Sequence, residues 1–257
     1  MSGRFAGIDV GERRLHGAVV DGSGSILDCT TLPPDDTEAL VAWCDDARFV
    51  AVDAPEAPST APHAGGTDLA PKFRAARCAE IELGLRHGSW VSWVAPSRAP
   101  FPRWMEVGIA VYRTLGRLAR AEALEVYPHA AFRELAGGRR LPSKRSQAGR
   151  RERAELLARA GLRGGALASP EDARTGGPLA TPEDARTGGP LAPPPPGEIL
   201  DPLAPPPPHD ALAPPPSHDV LDALAAALVA LDRSRCRARR VGCGHDDSAI
   251  WLPGPPG

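Results

Sequence analysis

The sequence predicts an α/β protein whose sheet contains strands of mixed direction. Near the N-terminus, three short apolar segments are joined by short loops, and Asp-Gly and Ser-Gly pairs lie between the second and the third, which is typical of an antiparallel meander. A helical pattern and a buried-type strand follow, and further helices and one more strand come after them. This order is typical of a sheet that combines antiparallel and parallel strands.

The N-terminal elements are predicted from their turns and caps. Residues 35–37 (Asp-Asp-Thr) can cap a helix that runs through Trp43. The run FVAVD is continuous and apolar until its last residue, as in a strand buried on both faces, and Ala-Pro ends it. The strands predicted in this part span 4–9, 15–21, 25–31 and 49–53.

The later elements are predicted mainly from helical spacing and from breakers. Pro128 stops a strand that is predicted over 124–127. The Ala/Leu-rich segment 219–231 has the composition of a buried helix, and a last short strand is predicted over 249–252. The other predicted helices span 72–86, 105–121 and 150–160.

A short repeat interrupts the chain before the last helix. The segment ASPEDARTGGPLA at 168–180 returns as ATPEDARTGGPLA at 180–192, and Pro-rich sequence follows it. Such a repeat has no periodic apolar face and cannot bury a core. We therefore predict a disordered low-complexity linker over 164–216, with one domain formed by residues 1–163 and 217–257.

Composition excludes several classes of protein. The 257 residues are 42% hydrophobic, carry a net charge of −2 and contain no apolar run of membrane-spanning length. The N-terminus does not have the pattern of a signal peptide, so we expect a cytoplasmic protein without a membrane partner. The five cysteines are scattered, which argues against a disulfide framework and against a zinc ribbon.

Five acidic residues lie where predicted elements meet loops. Asp9 ends the first strand in GIDVG, Asp53 ends the fourth in VAVDAP, and Glu125 lies in LEVYP. Asp219 and Asp222 are three residues apart, on one face of the last helix. Sites in open α/β sheets lie at the carboxyl ends of parallel strands, so pairing of strands one and four would place Asp9 beside Asp53. The last helix is then expected to bring Asp219 or Asp222 against them.

Clustered carboxylates repel one another, and hard divalent cations such as Mg²⁺ or Mn²⁺ relieve that repulsion. Two such ions about 4 Å apart can stabilise the attacking and leaving oxygens of an in-line displacement. Each acid also has a structural interpretation: a turn cap for Asp9, a strand end for Asp53, an ion pair for Glu125. Asp219 suits the first turn of a helix, whereas Asp222 lies among apolar neighbours, where an unpaired carboxylate is costly.

Taken together, GIDVG, VAVDAP, LEVYPHAAF and HDVLDALAAAL resemble the bacterial domain-of-unknown-function family 429, described as predicted RNase H-like nucleases. Their order is more distantly similar to that of Holliday-junction resolvases of the RuvC type. The resemblance implies an RNase H-like fold, a mixed five-stranded sheet flanked by helices. The fourth-strand acid of the resolvases is Glu, and Asp53 departs from it. The resemblance implies metal binding by Asp9, Asp53, Asp219 and Asp222 and a catalytic role for these four and Glu125.

Two groups of residues are candidates for contact with the substrate. The segment FRAARCAEIEL also resembles a family signature, and in it Arg77 and Glu80 form either a surface ion pair or a contact to substrate phosphate. Lys144 falls where the resolvases have basic residues. With Arg145 it belongs to a stretch at 139–151 that contains no acid and is expected to contact phosphates.

Three functions are compatible with the sequence. A metal-dependent nuclease acting on DNA or RNA is the first, and a non-catalytic binding or scaffold protein with the same fold is the second. The third, an actin-like kinase or ATPase, shares the Gly-Ile-Asp-x-Gly strand but requires a second phosphate loop and a Gly-rich adenosine motif that the sequence lacks. The sequence leaves the type of nucleic acid, the number of metal ions and the oligomeric state open, a homodimer included.

Overall fold

A five-stranded mixed sheet forms the centre of the molecule. The computed structural model describes residues 3–59, 70, 76–91, 100–165, 167, 216–242 and 248–255. The strands lie in the order β3-β2-β1-β4-β5; β1, β2 and β3 are antiparallel, and β1, β4 and β5 are parallel. The strands are β1 (Arg4–Val10), β2 (Leu15–Asp21), β3 (Ile26–Leu32), β4 (Ala47–Asp53) and β5 (Glu122–Glu125).

Helices cover both faces of this sheet, and a second small sheet lies beside it. Side-chain caps begin several helices: Asp36, Ser146 and Ser217 each accept a hydrogen bond from a backbone N–H in the first turn. The elements are α1 (Thr37–Cys44), α2 (Cys78–His87), α3 (Arg103–Leu115), α4 (Pro128–Leu135), α5 (Gln147–Arg159), α6 (His218–Ser234) and the antiparallel pair β6 (Arg239–Val241) and β7 (Ile250–Leu252).

Two apolar layers hold the helices to the sheet. On one face, Phe5 and Ala51 pack with the buried Ala and Leu side chains of α6. On the other face, Ile8 and Val52 pack with α1 and with Val111 of α3. Because side chains alternate along a strand, Asp9 and Asp53 extend from the same face as Phe5 and Ala51, the face that α6 covers.

Helix α6 lies very close to β1 because residue 7 is glycine. A Cβ atom at Gly7 would lie 2.1 Å from the carbonyl oxygen of Ala223 and 2.2 Å from the backbone nitrogen of Ala227. No rotamer change can relieve a clash with helix backbone. Gly7 therefore sets the distance between the strand that carries Asp9 and the helix that carries Asp222.

The structure confirms the mixed sheet with flanking helices and corrects several bounds. Pro128 does not merely stop the preceding strand, since it is the first residue of the unpredicted α4; β6 was not predicted either. β5 lies at Glu122–Glu125 rather than 124–127, and α3 ends at Leu115 rather than 121. Cys78 is disulfide-bonded, which the scattered cysteines did not predict.

The predicted linker falls almost wholly outside the described residues, so its disorder and the domain limits stay predictions. The first part of the helix predicted over 72–86 also lies outside them, and α2 is described from Cys78. None of the helices that the structure describes is long and apolar enough to cross a membrane.

Replacement of Gly7 by alanine should lower the free energy of unfolding by about 3 kcal/mol or more, because α6 must move away from β1. Gly165→Ala is the control, since no heavy atom lies within 4 Å of a Cβ atom there. Urea unfolding would measure both. A loss at Gly7 no larger than at Gly165 would contradict the close packing described above.

Candidate functional site

Strand register brings Asp9 and Asp53 together. β1 and β4 are parallel neighbours, and Asp9 is paired with Asp53 at the last position of their ladder. Both side chains leave the α6 face of the sheet, and the two carboxyl groups share a hydrogen bond. The sequence-based expectation that these acids are neighbours agrees with this arrangement.

Asp222 of α6 belongs to the same group of charges. Its residue is only 3% exposed, and its negative charge acts on both Asp9 and Asp53. Lys144 donates a hydrogen bond of 2.6 Å from Nζ to Oδ2 of Asp222, and its own side chain is 46% exposed. We call Asp9, Asp53 and Asp222 the carboxylate cluster, with Lys144 as its neutralising cation.

Asp219 lies at the edge of the carboxylate cluster. Its charge acts on Asp9, but its carboxylate faces two imidazoles, 3.8 Å from Nε2 of His16 and 3.3 Å from Nε2 of His218. His16 is the residue opposite Asp9 in the β1–β2 ladder. The sequence did not decide whether Asp219 or Asp222 is the principal ligand. In the structure the two residues differ in position, because Asp222 is buried and Asp219 is partly exposed to solvent.

Burial and mutual repulsion disfavour charge on the carboxylate cluster. Burial first, and then the charge of Asp222, raises the pKa of Asp9 from 3.8 to about 7. Burial and the charge of Asp9 raise the pKa of Asp53 well above its ordinary value. Burial also raises the pKa of Asp222, and Lys144 only partly opposes it. The cluster therefore retains protons at neutral pH unless additional positive charge arrives.

Glu125 belongs to a different group. It is paired with Val52 in the β4–β5 ladder, so its side chain leaves the sheet on the face opposite to that of Asp53. Arg77 binds both of its oxygens, at 2.7 Å and 2.6 Å, and Nη2 of Arg77 also lies 3.5 Å from Oε1 of Glu80. All three residues are at least 93% buried, since none is more than 7% exposed.

This second group holds the chain that follows Asp53. Glu125 accepts a hydrogen bond of 3.0 Å from the backbone N–H of Glu56. From α3, the hydroxyl group of Tyr112 donates to the carbonyl oxygen of Ala54 at 3.2 Å. Arg77 and Glu80 therefore form contacts within the protein, whereas the sequence made them candidates for contact with substrate. With Glu125, they fix the segment next to Asp53.

The two predicted basic contacts differ in their surroundings. Lys144 is bound to Asp222, whereas the side chain of Arg145 is exposed and makes no ion pair with any residue that the structure describes. Sequence reasoning overlooked His16 and Tyr112. The β1–β2 hairpin could have identified His16, because the register of a hairpin follows from its turn, but no local signal indicates Tyr112.

No ready-made metal site of three or more Asp, Glu, His or Cys side chains exists within the described ranges. The carboxylate cluster nevertheless fits a hard divalent ion. Mg²⁺ is commonly bound by one or two carboxylates, with waters and substrate phosphate completing its shell. Asp9 and Asp53 supply two such groups, and burial together with the charges of the neighbouring carboxylates raises their pKa values.

One comparison with known proteins found a match. A family model described as "Protein of unknown function (DUF429)" matches residues 101–243. This range contains Glu125, Lys144 and both acids of α6, and it does not include Asp9 or Asp53. No curated protein and no solved structure matches the chain.

Replacement of Arg77 by methionine should cost about 3–5 kcal/mol of stability, because the carboxylate of Glu125 would remain buried without the guanidinium group that binds both of its oxygens. Arg145→Met is the matched control, and as an exposed substitution it should change stability by less than about 0.5 kcal/mol. Chemical denaturation would measure both variants. Equal effects would show that the Arg77 ion pairs contribute no more than a surface arginine.

The carboxylate cluster also predicts the pH dependence of stability in EDTA. A folded-state pKa of about 7 for Asp9 exceeds its ordinary value of 3.8, so the protonated form stabilises the fold. That contribution is complete below about pH 4 and is lost as pH rises through about 7. Compared with wild type, Asp9→Asn should therefore gain relative stability between about pH 5 and pH 8 in urea unfolding. Parallel profiles for the two proteins would contradict the raised pKa.

Proposed function

The chain belongs to the DUF429 family of proteins of unknown function, and we propose that it is a metal-dependent nuclease that hydrolyses phosphodiester bonds of nucleic acid. The observation that carries the proposal is the carboxylate cluster. Three carboxyl groups from β1, β4 and α6 lie together, and two of them share a hydrogen bond. A cluster of this kind is costly to the fold, and a divalent cation would offset that cost.

The proposal includes an RNase H-like fold. The strand order β3-β2-β1-β4-β5, with an antiparallel meander followed by parallel strands, supports this assignment. So does the position of the acids, at the carboxyl ends of the two central parallel strands and near the N-terminus of the helix that covers them. The positive end of the dipole of α6 would favour negative charge at that place.

Asp9 and Asp53 would hold Mg²⁺ or Mn²⁺, and Asp222 and Asp219 would complete the set of acids around it. Such an ion would activate a water molecule as the nucleophile and would stabilise charge on phosphoryl oxygens. The carboxylates of Asp9 and Asp53 would orient the ion. Glu125, which is bound by Arg77, would position Asp53 through the backbone of residues 54–56.

Lys144 would have a second partner during the reaction. Its side chain reaches solvent while its ammonium group lies on Asp222. If Asp222 faced a divalent ion, the ammonium group of Lys144 would be available to bind a substrate phosphate. Lys144 would thus neutralise the resting site and contact the substrate in turn.

A non-catalytic protein with the same fold is the second candidate. The pairing of Lys144 with Asp222 favours it, because an ammonium group already provides one of the positive charges that the cluster requires. In such a protein the carboxylate cluster would be structural, and divalent ions would not change its properties. The two candidates therefore differ in their response to metal.

Cleavage assays test the proposal directly. Labelled single-stranded, duplex, hybrid and four-way-junction substrates would be incubated with wild type in Mn²⁺ or EDTA. We expect cleavage of at least one substrate in Mn²⁺ and none in EDTA. We expect Asp9→Asn to lose about 100-fold or more in rate, since it removes a group that the transition state requires.

The matched control for this assay is Asp45→Asn, an exposed acid after α1 that shows no hydrogen bond or ion pair within the described part of the chain. It should cleave like wild type. Cleavage that survives in Asp9→Asn would point to a contaminating nuclease or to another site. An absence of cleavage on every substrate would favour the non-catalytic candidate.

A further inference from the structure

A basic groove adjoins the carboxylate cluster between α4 and α5. The cavity has a volume of about 580 Å³, and no Asp or Glu is among the residues that line it. Its charged lining consists of Arg133, Arg139, Arg140, Lys144 and Arg153, with His129 at one side. Five cations around one cavity, in a protein whose net charge is −2, form a concentrated positive surface.

The chain that forms one wall of the basic groove is held in place. Gly137 and Gly138 adopt left-handed φ angles of 68° and 83° and end α4, so that the chain turns back toward α5. Farther along, a Cβ atom at Gly149 would lie 2.0 Å from the carbonyl oxygen of Ser143, which shows how tightly this segment packs on α5. The groove is therefore a preformed surface rather than a loose loop.

The five cations differ in their contacts within the protein and in their exposure. Arg153 is 4% exposed and donates to the carbonyl oxygens of Pro142 and Gly149, so it supports the floor. Arg133 donates to the carbonyl oxygens of Gly88 and Gly138. The side chains of the other two arginines are exposed to solvent and can reach a ligand. Arg139 contacts Glu152 with half of its side chain exposed, and Arg140 is exposed and makes no hydrogen bond or ion pair with the described residues.

Lys144 connects the basic groove to the carboxylate cluster. It lines the groove, and its Nζ atom lies 2.6 Å from Asp222. A polyanion whose phosphates lie along the groove therefore stays in contact with positive side chains until it reaches the carboxylates. A small phosphate ester would need only the cluster, and the additional length of basic surface would bring it no contact.

We propose that the basic groove binds the sugar–phosphate backbone of single-stranded nucleic acid, with phosphates on Arg139 and Arg140, and leads it to the carboxylate cluster. The inference rests on the proposed function. The volume of the groove is within the range of about 300–1,000 Å³ of ligand clefts, which suits a short piece of one strand. A duplex displays its phosphates on a convex surface and would lie across the opening. Contacts to phosphate do not distinguish sequences.

The test measures binding in EDTA, where no cleavage interferes. A fluorescent single strand of about 20 nucleotides, as DNA and as RNA, would be titrated with protein at several salt concentrations, beside the matching duplex. The variant is Arg139→Gln with Arg140→Gln. The control is Arg117→Gln with Arg120→Gln, which removes the same charge from the α3–β5 connection, at the opposite ends of the strands. Arg139→Lys with Arg140→Lys keeps the charge.

We expect the groove variant to bind both single strands about tenfold more weakly than wild type at low salt. The slope of log K against log salt concentration should fall by about 1.4, the value for two lost phosphate contacts on a single strand. The control and the lysine variant should keep the wild-type slope, and wild type should prefer the single strand to the duplex. A preference of wild-type protein for DNA or for RNA would identify which strand the groove takes.

Four results would overturn the inference: no binding of a single strand, unchanged binding by the groove variant, an equal loss in the control, or a preference for duplex. Hydrolysis of bis(p-nitrophenyl) phosphate by wild type with Mn²⁺ reports on the carboxylate cluster alone. Hydrolysis together with unchanged strand binding by the groove variant would mean that only the inference fails. Weaker strand binding by the groove variant, without hydrolysis of the phosphodiester by wild type, would mean that the proposed reaction fails.

Discussion

Helix α6 can cover β1 only at the distance that Gly7 allows, and the site depends on that packing. The backbone of the helix lies where the side chain of any other residue would project, so the first turns of α6 lie directly over the end of β1. Asp222 is thereby buried against Asp9 and Asp53, and Asp219 lies beside His16. The apolar remainder of α6 fixes the helix on the sheet, so that core packing and the position of the acids have one origin.

The same packing brings negative charges close together, and the structure neutralises them only in part. Three carboxyl groups lie together and Lys144 supplies one ammonium group, so burial and mutual repulsion still raise the pKa values of Asp9 and Asp53. By contrast, the buried pair of Glu125 and Arg77 is complete in itself, because the guanidinium group binds both oxygens. We propose that the carboxylate cluster, which is short of positive charge, binds a cation. We propose that the complete pair of Glu125 and Arg77 supports the cluster.

Sequence patterns predicted the sheet and the neighbouring positions of Asp9 and Asp53, since turn residues define the meander and each acid ends an apolar strand. They failed where structure depends on distant partners. The face on which Glu125 lies follows from the register of β5 on β4, and a shift by one residue reverses it. Arg77 is 48 residues from Glu125, and Lys144 is 78 residues from Asp222, so neither pairing leaves a local pattern. Helix α4 was overlooked because proline can begin a helix as readily as it can end a strand.

Calorimetric titration of Mn²⁺ at about pH 7, in two buffers of different ionisation enthalpy, tests most directly whether the carboxylate cluster holds a divalent cation. Because the pKa of Asp9 is raised to about 7 and that of Asp53 is raised as well, binding of a cation should release protons and the observed heat should depend on the buffer. Asp53→Asn should abolish both the binding and the buffer dependence. If wild type does not bind Mn²⁺, or if Asp53→Asn binds it equally well, the carboxylate cluster is not a metal site.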